Sequence, residues 1–199
     1  MKYLLCSLLL LPVAWNVRGQ SYADTIQQYR KQYIADLLAE KRHPISPSQT
    51  SNLNFFPPDR SYCVTALVTE KPGATPFLIP THSGKQKPFR EYGTLTFSIH
   101  DTLLTLHVYQ SMDLVNGAAS KDELFIPFND LTNYDLTYGG GRYIDLMVSD
   151  IKDGKVVLDF NKCYNPYCAY ADGFSCPIPP SENRLEIDIK AGERSFRRW

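Results

Sequence analysis

The sequence predicts a mainly β domain, an antiparallel sandwich or barrel-like fold with one N-terminal amphipathic helix packed outside. Three observations predict it. A single segment near the start carries a helical apolar stripe. Most of the chain after it alternates apolar and polar residues in short runs. Stretches rich in Pro, Ser and Asn punctuate those runs. Many short strands following one helix fit a sheet that closes on itself with the helix outside.

The helix is expected over 21–41. Tyr22, Ile26, Tyr29, Tyr33 and Leu37 recur at steps of three and four, which places them on one face. Ser21 or Asp24 can cap its start, because a short side-chain oxygen accepts from otherwise unpaired backbone N–H groups. Pro44 and Pro47 lie beyond its end, where a fixed φ and a missing N–H stop a helix. The tyrosine stripe faces the core on this reading, as helix stripes usually do. Residues 42–61 follow as a wrapping loop, with Asn54-Phe55-Phe56-Pro57-Pro58-Asp59 stiff and apolar enough to plug against the domain.

The β part then runs over 62–199. Strands are expected at Tyr62–Thr69, at Phe77–Ile79, and where Leu95, Phe97 and Ile99 alternate with polar residues. Leu104, Leu106 and Val108 mark the next strand, across a turn at His100-Asp101-Thr102. Further strands are expected at Leu124–Phe128 and at Ile187 to Ile189. Between them, Ile144, Leu146 and Val148 share one face, as do Val156, Leu158 and Phe160. A hairpin with the loop Lys152-Asp153-Gly154 would set Val148 opposite Leu158, Leu146 opposite Phe160 and Asp145 opposite Asn161. Asp145 and Asp159 would then be diagonal neighbours, roughly 7–8 Å apart at the backbone. Arg142 would stand at the rim of the other face.

Residues 1–19 read as an export signal. Lys2 gives a positive start, Tyr3 to Ala14 is apolar, and Val17-Arg18-Gly19 offers a cleavage site. The apolar run falls short of the about 20 residues of a membrane span. The expected product starts near Gln20 and is exported to the periplasm or beyond, with no lipid anchor and no span. A retained N-terminal anchor is the alternative. The 21 Lys and Arg lose Lys2 and Arg18 and become 19, against 21 Asp and Glu. That near-neutral balance argues against nucleic acid as a partner, which calls for a basic stripe. About 180 residues suit one domain with a sizeable core.

The segment Tyr138-Gly139-Gly140-Gly141-Arg142-Tyr143-Ile144-Asp145-Leu146 resembles the signature of a large bacterial family, domain of unknown function 1684. Leu158 through Tyr170 and Cys176-Pro177-Ile178-Pro179-Pro180-Ser181-Glu182-Asn183-Arg184-Leu185 carry the same resemblance. So do Asn54–Asp59 and Phe125–Thr132. Two positions depart from the family pattern, which usually has Ala where Cys163 stands and a small hydroxyl residue where His82 stands. The resemblance therefore implies no shared mechanism for Cys163 and no shared catalytic base at His82. It implies no particular activity, since the family is named for its unknown function.

Cys63, Cys163, Cys168 and Cys176 remain after the signal, and in an oxidising compartment an even count suggests disulfides. Cys168–Cys176 is the preferred pair, with Cys63 and Cys163 paired or free. A functional thiol at Cys168 is one alternative. A metal site is the other, although Cys-x4-Cys-x7-Cys lacks the close pairs of structural zinc sites. No cofactor is implied. Asp145 and Asp159 are the candidate acid–base pair, with a solvated sheet face as the alternative.

Two functional readings follow, with a structural envelope protein as a third. In the first, the chain is a binding module for a small polar or anionic ligand, held by Arg142, Tyr143, Asn161, Tyr164, Asn165, Glu182, Asn183 and Arg184 on loops that prolines stiffen. In the second, it is a hydrolase-type enzyme using Asp145 and Asp159, or Cys168.

Overall fold

A computed structural model describes residues 20–115 and 122–197. The expected export signal at 1–19 lies outside the described residues. Helix α1 spans Tyr22–Ala39. Ser21 caps it in a reciprocal box, accepting from the Asp24 backbone while Asp24 accepts from the Ser21 backbone. Ile26 and Leu37 of the expected stripe are buried. Tyr22, Tyr29 and Tyr33 reach across to the C-terminal half with their hydroxyls: Tyr22 to Asp159, Tyr29 to the Lys162 carbonyl and Tyr33 to Glu193.

The sheet is antiparallel and curled into a half-barrel. Its strands are β1 (Cys63–Glu70), β2 (Phe77–Pro80), β3 (Gln86–Ile99), β4 (Thr102–Ser111), β5 (Glu123–Phe128), β6 (Arg142–Met147) and β7 (Lys155–Asp159). A short helical turn, α2 (Met112–Val115), follows β4. The spatial order is β6-β5-β4-β3-β1-β7, with β2 paired to β3. The β3–β4 hairpin turns through His100 and Asp101, both at positive φ (47° and 64°), so its twist matches the strands. A bulge between Glu91 and Gly93 bends β3. Gly93 is required there, because a Cβ would run into the Thr69 carbonyl.

The expected hairpin between β6 and β7 is not formed. β6 pairs with β5, and β7 pairs with β1. After β6 the chain makes a 3-10 turn at Val148–Asp150 and a tight turn between Lys152 and Lys155, with Asp153 and Gly154 at positive φ. That turn delivers β7 to the far end of the sheet. No strand forms at Ile187 to Ile189 either. The carbonyls of Ile189 and Ala191 accept from the Arg142 guanidinium instead of from a neighbouring strand.

The main core joins Leu95, Phe97, Leu106, Ile126, Phe128, Leu158 and Phe160 to Leu185, Ile189 and Ala191 of the C-terminal segment. The wrapping loop does plug against the domain: Phe56 is buried and its N–H donates to the Gly192 carbonyl at 2.9 Å.

Candidate functional site

β5 and β6 pair so that Phe125 faces Asp145 and Pro127 faces Tyr143. Side chains alternate across a strand, so Glu123, Phe125, Tyr143 and Asp145 share the face opposite Leu124, Ile126 and Ile144, which join the core. The return loop then covers this face. Tyr143 and Tyr164 exchange both backbone hydrogen bonds, at 2.9 and 3.0 Å, which fixes the loop against the edge of β6. The Cys168–Cys176 disulfide, as expected, closes the next turn, with 6.2 Å between its Cα atoms. By chain entropy such a short staple contributes about 2.5 kcal/mol. It holds Phe174 beside Tyr167, with ring centroids 5.2 Å apart.

Between sheet face and loop lies a cavity of about 800 Å³. Six rings contribute to its walls beside charged groups: Phe89 and Phe125 from the strands, Tyr143 between them and the loop, and Tyr164, Tyr167 and Phe174 from the loop. These rings lock one another. Phe125 meets Tyr143 edge-on at 4.7 Å, Tyr143 meets Tyr164 edge-on at 5.9 Å, and Phe89 stacks on Phe125 at 5.6 Å. The Tyr143 hydroxyl donates to the Pro177 carbonyl. The Tyr164 hydroxyl donates to Asp145 Oδ2 at 2.5 Å.

Asp145 lines the cavity and keeps solvent exposure, with protein packed around part of its carboxylate. That partial desolvation raises its pKa from 3.8 to about 6. The Tyr164 hydrogen bond opposes the rise and the nearby Glu123 charge adds to it.

Several expected site residues lie elsewhere. Arg142 is not at a rim but fully buried. It donates to the carbonyls of Ala191 and Ile189 at 2.6 and 2.9 Å and pairs with Asp130 at 2.7 Å. Asn161, Asn165 and Asn183 are also buried, with their side-chain NH2 groups spent on the chain itself. Asn161 donates to the Asp59 carbonyl, Asn165 to the Arg194 carbonyl, and Asn183 to the carbonyls of His107 and Pro127. Asn161 and Asn165 satisfy carbonyls outside the strands, and Asn183 bridges carbonyls of β4 and β5. Glu182 accepts from Tyr109, and Arg184 pairs with Glu186 on the surface. Of the expected ligand set, Tyr143 and Tyr164 alone line the cavity.

Asp145 and Asp159 are not brought together as a pair. Asp159 accepts from Tyr22 at 2.9 Å and from Asn161 at 3.0 Å, capping the turn after β7. Cys168 is held in the disulfide and has no thiol to offer. Cys163 is buried, and burial pushes its thiol up to about 11. Among the described residues, no group of three His, Cys, Asp or Glu could hold a metal ion, and no helix is long and apolar enough to cross a membrane.

Sequence reasoning missed Phe89, Glu123 and Phe125 as cavity residues. For Glu123 and Phe125 the signal was the parity of β5, which sends Phe125 away from Leu124 and Ile126.

The fold and site define an antiparallel half-barrel domain whose return loop encloses an aromatic cavity. Residues 49–194 match the family described as protein of unknown function DUF1684, and the chain belongs to that family. It is similar to the uncharacterised protein from gene locus rrnAC0354 of Haloarcula marismortui, whose structure was solved by solution NMR. The two are 34% identical, the match covers 86% of this chain and 96% of that one, and the TM-score is 0.62. None of the curated proteins matches the chain.

Proposed function

We propose that the chain is an exported binding module that takes a small polar organic ligand in the aromatic cavity. The observation that carries this reading is the cavity itself: about 800 Å³, walled by interlocked rings, with the accessible carboxylate of Asp145 among them. Ligand sites are concave and mostly apolar, with a few polar groups that fix orientation. The apolar run from Tyr3 to Ala14 supports export, and the Cys168–Cys176 disulfide suits an oxidising compartment.

The test is a thermal-shift screen of small polar and aromatic compounds. A ligand at a hundred times its Kd should stabilise by about 2.7 kcal/mol, or roughly 5–10 °C for a domain of this size. Ser111 lines the cavity, so Ser111→Trp should intrude into it and weaken the shift while the free protein melts as before. A shift left unchanged by Ser111→Trp would place the ligand elsewhere and sink the reading.

A further inference from the structure

We propose that the cavity selects cations, taking an alkylammonium or quaternary ammonium group against its ring faces beside Asp145. This rests on the binding reading above and names the ligand class for the same site.

The first support is the sign of the charges. Asp145 from β6, Glu123 from β5, Asp113 from α2 and Glu40 from the end of α1 line the cavity, against Arg42 and Lys87. Arg42 is already engaged. Its NH2 donates to the Gly173 carbonyl at 2.7 Å, and its guanidinium carbon sits 4.2 Å from the centroid of the Phe174 ring. The chain thus places one of its own cations on a ring of this wall.

The second support is the direction of the donors. An anion needs N–H or O–H groups turned towards it. The hydroxyls of Tyr143 and Tyr164 donate to Pro177 and Asp145, so these residues offer ring surface rather than protons. Asp145 accepts at Oδ2 from Tyr164, which leaves acceptor capacity at Oδ1. Electron-rich ring faces beside a carboxylate with a free lone pair are the means by which proteins hold ammonium groups.

A pH dependence follows. Asp145 sits at about 6 because burial and the Glu123 charge disfavour its anion. Glu40, Asp113, Arg42 and Lys87 are the other charged groups facing the cavity. A bound cation favours the Asp145 anion, so affinity should rise as pH climbs through Asp145's value and level off above it.

The test uses probes of matched shape and different charge: choline, its uncharged isostere 3,3-dimethyl-1-butanol, and the anion 3,3-dimethylbutyrate. Titration calorimetry on the purified protein above the Asp145 value should show choline tightest, by about tenfold over the alcohol, and the carboxylate weakest. One pH unit below that value, choline should weaken by up to about tenfold and the alcohol should not change. Asp145→Asn should bring choline down to the alcohol's level. Tyr164→Phe, which keeps the carboxylate, should preserve the choline preference. An alcohol that binds as tightly as choline, or a carboxylate that binds tightest, overturns the cation proposal and leaves the binding reading standing. If none of the three binds, the cation proposal falls. The binding reading falls with it only if the wider screen yields no Ser111→Trp-sensitive ligand.

Discussion

Asp145 and Glu193 are both carboxylates held above their ordinary range, and they sit in opposite circumstances. Glu193 has no solvent exposure, and burial pushes it up to about 7. Its oxygens are fully claimed by the chain. Tyr170 donates to them at 2.8 and 2.7 Å, Tyr33 at 3.1 Å and the Asn165 backbone at 2.9 Å. Asp145 has the cavity on one side and a single hydroxyl partner, Tyr164. Shifted groups gather at functional sites, but structural networks shift them too. Here the difference lies in access and in unspent acceptors. Glu193 clasps α1 to the return loop. Asp145 is left free to meet something else.

The clasp should break hardest at Arg142, whose NH1 also donates to the Glu193 carbonyl at 3.2 Å. Both side chains of the Arg142–Asp130 pair are fully buried. Arg142→Met would remove the guanidinium, orphan three carbonyls and leave Asp130 as an uncompensated buried charge. Urea unfolding should show a loss of about 3–5 kcal/mol. A loss below about 1 kcal/mol would mean that the clasp is ornamental and that the comparison fails.

Arg142 also shows where the sequence stopped being legible. The helix, its cap, most strands and the disulfide could be read locally, because periodicity, capping oxygens and a short cysteine spacing are local signals. The face assignment of β6 was right, with Tyr143 and Asp145 on the non-core side. Its partner was not. The parity of β7 would satisfy either β6 or β1, and nothing in Val156, Leu158 and Phe160 distinguishes them. The same blindness put Arg142 at a rim. Its partners are Asp130 and the carbonyls of the last segment, which only the folded chain brings together. The cavity was not legible for the same reason. Phe89, Phe125, Tyr164 and Phe174 come from segments far apart in sequence, and each alone looks like core.

The next effect is a pH dependence carried by Glu193. Its pKa in the fold is above the unfolded value, rising from 4.5 to about 7. Its contribution to stability is therefore fully present below the lower value and is lost as pH rises through the upper one. The wild-type protein should lose up to about 3 kcal/mol relative to Glu193→Gln over that window. Equilibrium unfolding of both proteins across the window measures it. Parallel pH profiles for the two would show that Glu193 does not titrate there and would remove one half of the comparison.

The smallest effect on stability should come from Asp145→Asn. Asp145 is also raised, from 3.8 to about 6, so the sign is the same, and its contribution fades as pH rises through that range. Its magnitude is cut by the solvent that reaches it, and well under about 1 kcal/mol should remain. Asn keeps an oxygen for the Tyr164 hydroxyl, so the wall should not collapse. Melting curves near neutral pH should overlay those of the wild type. The contrast with Glu193 then becomes a contrast of roles: changing one carboxylate moves stability and leaves the cavity intact, and changing the other moves binding and leaves stability intact. A large destabilisation by Asp145→Asn would mean that the carboxylate is a second clasp, and the cavity would have lost the carboxylate on which the cation proposal rests.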